Sequence, residues 1–590
     1  MSWQAWATLV VIAVTVYVLA RDLVSPWATM LAAVVVLLVL GIVTPAQAFA
    51  GFANPAPITV AALFVLARAA DKTSALQPVL AATLGDARQS QRRLLTRLLV
   101  PSAAASAFLN NTPIVAMLAP QVSQWAGRRG QSPSRYLMPL SFAVILGGIT
   151  TLIGTSTNLV VSGFLVQSGQ APIGMFELTK LGVPVCVAGL AVLVLTAPWL
   201  LRDRRPAAAE LSESVREFTV HMQVVAGGPL DGKSIEAGGL RHLMGVFLAQ
   251  VERGAESIAP VAPALVLRGG DVLTFVGRAD LVVDLQAQRG LTSVEEKHVA
   301  QFGDARHTFF EVVLGAASPL VGRTLRETDF RSRYQAAVLA IHRSGQRVRE
   351  KLGTVELKLG DTLLLLSDPG FQDRWRHRSD FLTVARLGGA PPAASRKAPL
   401  VGVIALVIVV VAGAGLLPIL EVSLLGAIAL VLAGVLTAGE ARDAVDLDTI
   451  LLIAASFGLG AAMAQSGLAE HLAAGLIAAF HPFGTRGVLL GVVLSTIVLI
   501  EIITHNAAAA LMFPIAMATA ARLGVAPRPF AIAITVAASL SFLTPIGYAT
   551  NTMVYGPGGY RFGDYARLGA PLTLLTIVMV VVLVPVLWPL

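Results

Sequence analysis

GTSTNLVVSG, residues Gly154–Gly163, recurs 393 residues later as GYATNTMVYG, residues Gly547–Gly556. The two segments share a glycine at each end and an asparagine at the fifth position, and a threonine lies three residues before each. Both lie in apolar sequence, where such polar and glycine-rich stretches are tolerated only beside a cavity or a binding site. The repeat therefore predicts a duplicated membrane protein with one broken helix in each half.

A second, looser repeat precedes each of these segments. NNTPIVAML (Asn110–Leu118) aligns with HNAAAALMF (His505–Phe513) when Asn111 is placed on Asn506. Two interrupted apolar segments in each half are typical of a secondary transporter.

Composition supports a membrane class and argues against two others. The chain is 55% hydrophobic and 13% charged, and its long apolar runs are typical of bilayer-spanning helices. A soluble enzyme core is excluded, neither a nucleophile–base pair nor a metal cluster is evident, and the single cysteine, Cys186, rules out a disulfide framework. The net charge of +9 comes largely from arginines at the ends of apolar runs, which indicates membrane topology and no nucleic-acid partner.

Basic clusters at 88–97, 128–135 and 202–205 should all lie in the cytoplasm. Because residues 98–126 start and finish on that side, they are expected to form a re-entrant hairpin with its tip near Asn110–Pro113. Five crossings and one hairpin in each half require the second copy to be inverted. The predicted spans are 5–20, 24–44, 54–78, 136–164 and 181–201, then 399–417, 419–438, 447–479, 529–555 and 567–589, with the second hairpin at 487–521.

Residues 206–397 differ in character from both membrane repeats, 1–205 and 398–590. Charge rises, apolar runs shorten to strand length, and Gly-Asp turns appear at 270–271 and 360–361, which predicts a soluble α+β insert. The insert is itself duplicated, as modules 206–300 and 301–397. The predicted fold is a multi-pass α-helical protein of the plasma (inner) membrane, with two inverted repeats and a cytoplasmic α+β insert.

The insert resembles the C-terminal lobe of potassium-channel regulator domains, known as TrkA-C. The motifs Pro229-Leu230-x-Gly232-Lys233 and Pro319-Leu320-x-Gly322-Arg323 carry this resemblance together with the Gly-Asp turns. It implies a cytosolic small-molecule ligand. Lys233 and Arg323 are candidates to hold a phosphate, although a Gly-Lys turn is more often only a solvated turn, and no GxGxxG fingerprint accompanies them.

The membrane region resembles the divalent anion/sodium symporter family, whose members carry sulfate or di- and tricarboxylates. Four motifs in order carry the resemblance: SAFLNNTPIVAMLAP (106–120), GGITTLIGTSTNLVVSG (147–163), ITHNAAAALMFPIA (503–516) and TPIGYATNTMVYGPGGYRF (544–562). It implies a homodimer in the lipid bilayer, with sodium held between each hairpin tip and the broken helix that follows. The implied sodium ligands are Ser106, Asn110, Asn111, Gly154, His505, Asn506 and Gly547.

Two departures from that family pattern occur at the tips. Asn110 replaces the commonest serine, and the second triplet, His505-Asn506-Ala507, lacks both hydroxyls, so the first sodium site is the better matched. His505 is interpreted as a neutral ligand, with a proton carrier as the alternative, and Glu501 is a candidate partner for it.

A dianion is best stabilised by free helix N–H groups, and helix breaks at Asn111, Thr155, Asn506 and Tyr548 would supply them. Neither Lys nor Arg interrupts the motifs before Arg561, so co-bound sodium would carry much of the compensating charge. The predicted substrate contacts are Asn111, Thr112, Thr155, Asn158, Asn506, Tyr548, Thr550 and Asn551.

These observations predict a sodium-coupled symporter that imports a small divalent oxyanion, with sulfate as the first candidate. A sodium/dicarboxylate symporter is the alternative within the same class. A membrane-anchored regulatory sensor is the alternative from another class, but an anchor has no use for four helix breaks.

Overall fold

The computed structural model describes most of the chain, and all structural statements below refer to that part. The described residues are 1–21, 23–75, 90–128, 131–204, 219–240, 246–254, 256–277, 290–293, 308–315, 318–343, 346–348, 350, 352–375, 378, 380–386 and 395–590. Arg88, Arg129 and Arg205 of the basic clusters lie outside them, as do the predicted boundaries at 205/206 and 300/301.

The first membrane region is helical and carries two interruptions where the motifs predicted them. Breaks at 107–110 and 149–155 separate α5 from α6 and α7 from α8. The helices are α1 Trp3–Ala20, α2 Pro26–Val39, α3 Pro45–Ala48, α4 Pro55–Lys72, α5 Gln91–Ser106, α6 Asn111–Arg128, α7 Leu137–Gly148, α8 Ser156–Gln167 and α9 Thr179–Leu200.

The second membrane region has the corresponding breaks, at 501–504 and 538–548. The predicted single span 447–479 is wrong in one respect, because Gly467, with a φ of +72°, divides it into two helices. The helices are α12 Ala398–Gly413, α13 Ile419–Leu432, α14 Ala438–Asp443, α15 Leu447–Gln465, α16 Leu468–Phe480, α17 Gly484–Ile500, α18 His505–Leu523, α19 Pro527–Ala537, α20 Ala549–Tyr555 and α21 Phe562–Leu587, while α10 and α11 belong to the insert.

Several of these helices can cross a bilayer by length and composition. Within the described residues six stretches qualify, and the prediction of a multi-pass helical membrane protein is confirmed at this level. They are Trp3–Ala20, Thr179–Leu200, Leu447–Gln465, Leu468–Ile500, His505–Leu523 and Phe562–Leu587. The inverted orientation of the second repeat stays a prediction.

The core of the membrane region lies around α7. All twelve residues of this helix are buried, as expected for a helix that is apolar on every side. A Cβ atom on Gly147 would overlap the carbonyl oxygen of Ala103 and lie 2.7 Å from its Cα, so glycine is what allows α5 to approach α7. The hairpin is thereby held against the first broken helix.

The insert contains two antiparallel sheets of five strands. One has the order β3-β2-β4-β1-β5 and the other β10-β6-β9-β7-β8, which is the same arrangement read from the opposite edge. The strands are β1 Thr219–Val224, β2 Val246–Arg253, β3 Glu256–Ile258, β4 Val272–Gly277, β5 Leu291–Ser293, β6 Thr308–Val313, β7 Ala336–Arg343, β8 Gln346–Arg347, β9 Thr362–Ser367 and β10 Thr383–Arg386, with α10 Phe330–Tyr334 and α11 Phe371–Trp375 in the second module.

The two modules also repeat one buried ion pair. In the first, the Arg253 guanidinium donates to both carboxylate oxygens of Asp271 at 2.9 and 2.7 Å. In the second, Arg343 donates to Asp361 at 2.8 and 2.7 Å. Each aspartate belongs to a predicted Gly-Asp turn, so the pairs tie the end of β2 to the start of β4 and the end of β7 to the start of β9.

Candidate functional site

The first hairpin tip is organised by Asn111, the first residue of α6, which is almost fully buried. Its Oδ1 accepts a hydrogen bond of 2.5 Å from Ser106 Oγ at the end of α5. Its Nδ2 donates 2.7 Å to the hydroxyl of Tyr548, which lies in the second half of the chain. The two sides of one asparagine therefore hold both its own tip and the opposite broken helix.

Each broken helix is locked by the asparagine at the fifth position of the repeat. Asn158 Nδ2 donates to the carbonyls of Gly148 and Thr151, ten and seven residues earlier in the chain, at 3.1 and 2.8 Å. Asn551 makes the same pair of bonds to Ser541 and Thr544, at 3.0 and 3.3 Å. Because these two side-chain amides bond to backbone carbonyls of their own segments, they stabilise the helix breaks. The sequence had assigned both asparagines to substrate contact.

The remaining amide oxygens of these two asparagines face the opposite half. Ser539 Oγ donates 3.4 Å to Asn158 Oδ1, and Ser141 Oγ lies 2.8 Å from Asn551 Oδ1 and 2.9 Å from Thr550 Oγ1. The two breaks are thus joined across the centre of the molecule.

Tyr548 is the residue at which the two halves meet. It precedes the first turn of α20, as Thr155 precedes that of α8, and these equivalent residues share a hydrogen bond of 3.0 Å. The His505 ring stacks on the Tyr548 ring, with centroids 4.6 Å apart and planes 14° from parallel. Ser156 Oγ completes the cluster, 3.4 Å from His505 Nε2 and 3.2 Å from Asn506 Oδ1.

Four helix starts consequently lie side by side, those of α6, α8, α18 and α20. The residues that join them offer hydroxyl, amide and imidazole groups, with neither Lys nor Arg among them. Helix N-termini carry partial positive charge and free N–H groups, which favour an anion. Because the groups are neutral, the site can attract an anion without fixing one permanently.

Glu501 does not bind His505 as the sequence suggested. Its carboxylate turns instead to the segment that precedes Tyr548, where Oε1 accepts from the backbone N–H groups of Phe542 and Leu543 at 3.1 and 3.0 Å. Its Oε2 accepts from Thr544 Oγ1 at 2.7 Å. In the first half the equivalent Thr151 hydroxyl donates to the backbone carbonyl of Ala107.

Oxygen atoms gather around the two equivalent glycines. A Cβ atom on Gly154 would lie 2.8 Å from the Ser106 carbonyl oxygen, and one on Gly547 would lie 2.7 Å from that of Ile500. Ser541 Oγ lies against Gly547, and both it and Thr504 Oγ1 are buried without a hydrogen-bond partner among the described residues. Carbonyl, hydroxyl and amide oxygens are what a hard cation binds.

Two further residues of the predicted set stand apart from this network. Asn110 and Thr112 are half-buried, and neither side chain forms a hydrogen bond within the described part of the chain. Their assignment to sodium and substrate stays a prediction.

Sequence reasoning missed Ser141, Ser156, Ser539, Ser541 and Thr504. Ser156 stands inside the quoted repeat, next to Thr155, so its position was a usable signal. Thr504 stands inside the quoted motif 503–516, next to His505, and was usable in the same way. Ser141 lies in an apolar helix and Ser539 and Ser541 lie in the break before Tyr548. These three lie outside the quoted motifs, and a polar role for them depends on their neighbours in the folded chain.

A family described as citrate transporter (CitMHS) has a model that matches residues 9–537 and 422–589. A putative sulfur deprivation response regulator from Chlamydomonas reinhardtii is 36% identical over 568 residues, covering 94% of this chain and 96% of that protein. An uncharacterised transporter from Synechocystis sp. is 36% identical over 557 residues, covering 92% and 90%. A probable sodium/sulfate cotransporter from Chlamydomonas reinhardtii is 26% identical over 786 residues, covering 97% and 87%.

Proposed function

The chain belongs to the citrate transporter family, and from that premise we propose that it is a symporter that uses sodium to import a small divalent oxyanion, with sulfate first. Membership makes the protein a membrane transporter and not an enzyme. The sodium coupling and the anion are our inference.

The observation that carries the proposal is the junction of four helix starts at Tyr548. Asn111, Thr155 and His505 contact its side chain from three other helices that belong to both halves. An anion bound there would interact with N–H groups whose orientation the breaks have already fixed. Any rearrangement of one half against the other must pass through these contacts, as alternating access requires.

Sodium is the favoured coupling ion because the cluster is neutral. Two negative charges among neutral donors in a buried site are costly to desolvate, and bound cations would offset that cost. Ser106, Asn111 and Gly154 would hold one ion, and Gly547 with Thr504, Ser541 and the Ile500 carbonyl would hold another. The last three supply the oxygens that the second triplet lacks.

Sulfate is preferred to a carboxylate because a relative of nearly full coverage is named as a sodium/sulfate cotransporter. The compact sulfate dianion also suits short hydroxyl and helix donors, whereas carboxylates are often bound bidentately by Arg, which is not among the residues that join the four helix starts. The family description names citrate, which keeps a carboxylate as the second candidate. A regulatory sensor is the third, since one relative is named as a response regulator.

The same proposal places the protein in the plasma membrane as a homodimer, with the insert in the cytoplasm. The duplicated sheets of the insert would there be available to a cytosolic small-molecule ligand.

Uptake of labelled sulfate into proteoliposomes tests the function directly. We expect a sodium gradient to drive uptake, and unlabelled sulfate to compete more strongly than succinate or citrate. Uptake of a carboxylate in preference to sulfate would select the second candidate. Binding of sulfate without uptake under any gradient would select the sensor.

Tyr548→Phe provides the matched variant, because it keeps the ring stacked on His505 and removes only the hydroxyl. Uptake should fall about tenfold, since a buried hydrogen-bonding group is worth about 1–3 kcal/mol. Tyr17→Phe, on the exposed surface of α1, serves as the control and should transport normally.

A further inference from the structure

The glycine that ends each copy of the opening repeat is approached by a different partner. In the first half the carbonyl of Gly163 accepts 3.1 Å from Asn54 Nδ2, and a Cβ atom there would lie 2.6 Å from Asn54 Oδ1. In the second half the neighbour of Gly556 does not belong to the membrane region. It is Thr362, the first residue of β9 in the second module of the insert.

Position 556 requires glycine because of this contact and not because of its backbone conformation. Its φ and ψ of −68° and −55° are helical and suit any L-residue. A Cβ atom there would however lie 3.2 Å from Thr362 Cβ and would overlap Thr362 Oγ1. Gly360 and Tyr555, which lie next to this contact, are also close together, because a Cβ on Gly360 would lie 3.4 Å from the Tyr555 ring.

The surface of the module that makes this contact is a buried sheet face. Thr362 pairs with His342 on one side and Val313 on the other, and Val313 pairs with Thr383, so the four residues form one row across β7, β9, β6 and β10. All four are buried. Leu382, beside this row, packs against the hydrophobic core of the membrane region.

The helix that is held in this way leads straight to the candidate site. Tyr555 ends α20, and Tyr548 precedes its first turn. A helix of seven residues is about 10 Å long, so the module restrains one end of a short rigid rod whose other end joins both halves.

We propose that this face of the second module, the row His342, Thr362, Val313 and Thr383, is a docking surface for the end of α20, and that the contact must open for transport to proceed. The inference rests on the proposed transport function. Its physical basis is that the rearrangement of a transporter moves the broken helices against their surroundings. The docked module favours the arrangement described here, so it acts as a brake.

A disulfide between the two surfaces tests both parts. The 3.2 Å separation of Thr362 Cβ from a Cβ at 556 is near the range that a disulfide spans. Thr362→Cys and Gly556→Cys are combined with Cys186→Ala, which removes the only native cysteine. We expect oxidation to keep the two fragments together on a denaturing gel after cleavage of the chain between the two cysteines, and sulfate uptake to fall at least about tenfold and recover on reduction.

The gel result does not depend on transport, so a failure of the proposed function is distinguishable from a failure of the docking. Absence of a disulfide in the folded double-cysteine protein would overturn the docking surface. A disulfide that forms without reducing the uptake would overturn the requirement that the contact opens. Each single-cysteine variant serves as the control for the effect of oxidation alone.

A size exchange provides the second, independent measurement. Gly556→Ala should force Thr362 away and raise the maximal uptake rate about fivefold, the lower end of typical couplings between sites. Adding Thr362→Gly makes room for the new methyl group and should restore the original rate. Unchanged or lowered uptake in Gly556→Ala, or no reversal in the double variant, contradicts the brake.

Discussion

In the insert, Arg253 and Arg343 bind Asp271 and Asp361 through the same pair of hydrogen bonds. The hairpin tips of the membrane region are repeated in the same chain, yet they differ. Aligned on Asn111 and Asn506, the position of Ser106 in the first tip is that of Glu501 in the second. One duplication has kept its polar chemistry, and the other has changed it.

The difference follows from what each polar group does. An arginine–aspartate pair at a turn only has to hold two strands, so the same solution serves twice. The two broken helices likewise keep one asparagine lock, at Asn158 and Asn551, because each has the same backbone to satisfy. The two tips meet at Tyr548 and contact it in different ways, because Asn111 of the first tip donates to its hydroxyl and His505 of the second stacks on its ring.

Replacing Glu501 should reveal the functional difference between the two tips most clearly. Glu501→Ala removes three hydrogen bonds to a carboxylate and should lower sulfate uptake roughly 100-fold, since about 3 kcal/mol corresponds to two factors of ten. Glu501→Gln keeps an acceptor for the two backbone N–H groups and should recover part of the rate. Ser106→Ala, at the equivalent position, should cost less, and an equal loss in both tips would contradict the asymmetry.

The first tip is tested by Asn111→Ala, which removes the bonds to Ser106 and Tyr548. A lost buried hydrogen-bonding group costs about 1–3 kcal/mol, so sodium-driven uptake should fall roughly tenfold. Thr519→Val is the control, because among the described residues that buried hydroxyl bonds only to the Ile515 carbonyl of its own helix. Normal transport and sodium dependence in a correctly inserted Asn111→Ala protein would remove this tip from the site.

His505 decides whether the second tip carries a proton. As a neutral group stacked on Tyr548, it should leave uptake dependent on sodium between about pH 6 and 8, with a modest effect of pH on the rate. His505→Gln should reduce uptake severalfold and keep the sodium dependence. Uptake into sodium-free vesicles driven by an acidic exterior would show instead that the second tip is a proton site.

The smallest expected effect concerns a buried carboxyl group in the insert. Glu311 of β6 is buried, its Oε1 has no partner in the described part of the chain, and burial raises the pKa of its carboxyl to about 7. The folded state therefore binds this proton more tightly than the unfolded state, whose pKa is near the ordinary 4.5. The resulting stability is complete below pH 4.5 and is lost as the pH rises through 7.

Glu311→Gln removes this titration. Hydrogen exchange of β6 and β9, corrected for the intrinsic rate, should be slower in the variant than in the unaltered protein at pH 8, and similar in both at pH 5. Thr328→Val, which changes a hydroxyl bonded to the carbonyl oxygens of Thr324 and Leu325, should show no such pH dependence. An equal difference at both pH values would mean that the effect of Glu311 is packing and not charge.

Much of the organisation followed from local sequence. The breaks at 107–110 and 149–155 were predicted because glycines and amides interrupt apolar runs. The insert was predicted because charged residues and apolar runs of strand length replace the long apolar runs of the membrane repeats. The division of 447–479 was not predicted, since a single glycine in an apolar run is compatible with a continuous membrane helix.

The sequence by itself determined the class of protein, the positions of the four helix breaks and the two duplications, because each depends on residues that are near one another in the chain. Only the tertiary structure decided that Tyr548 joins Asn111 and Thr155, that Glu501 holds residues 542–544 and not His505, and that Thr362 of the insert meets Gly556. Hydrophobic periodicity records whether a side chain is buried. It carries no information on which distant side chain lies opposite, and that partner determines the chemistry of a buried polar group.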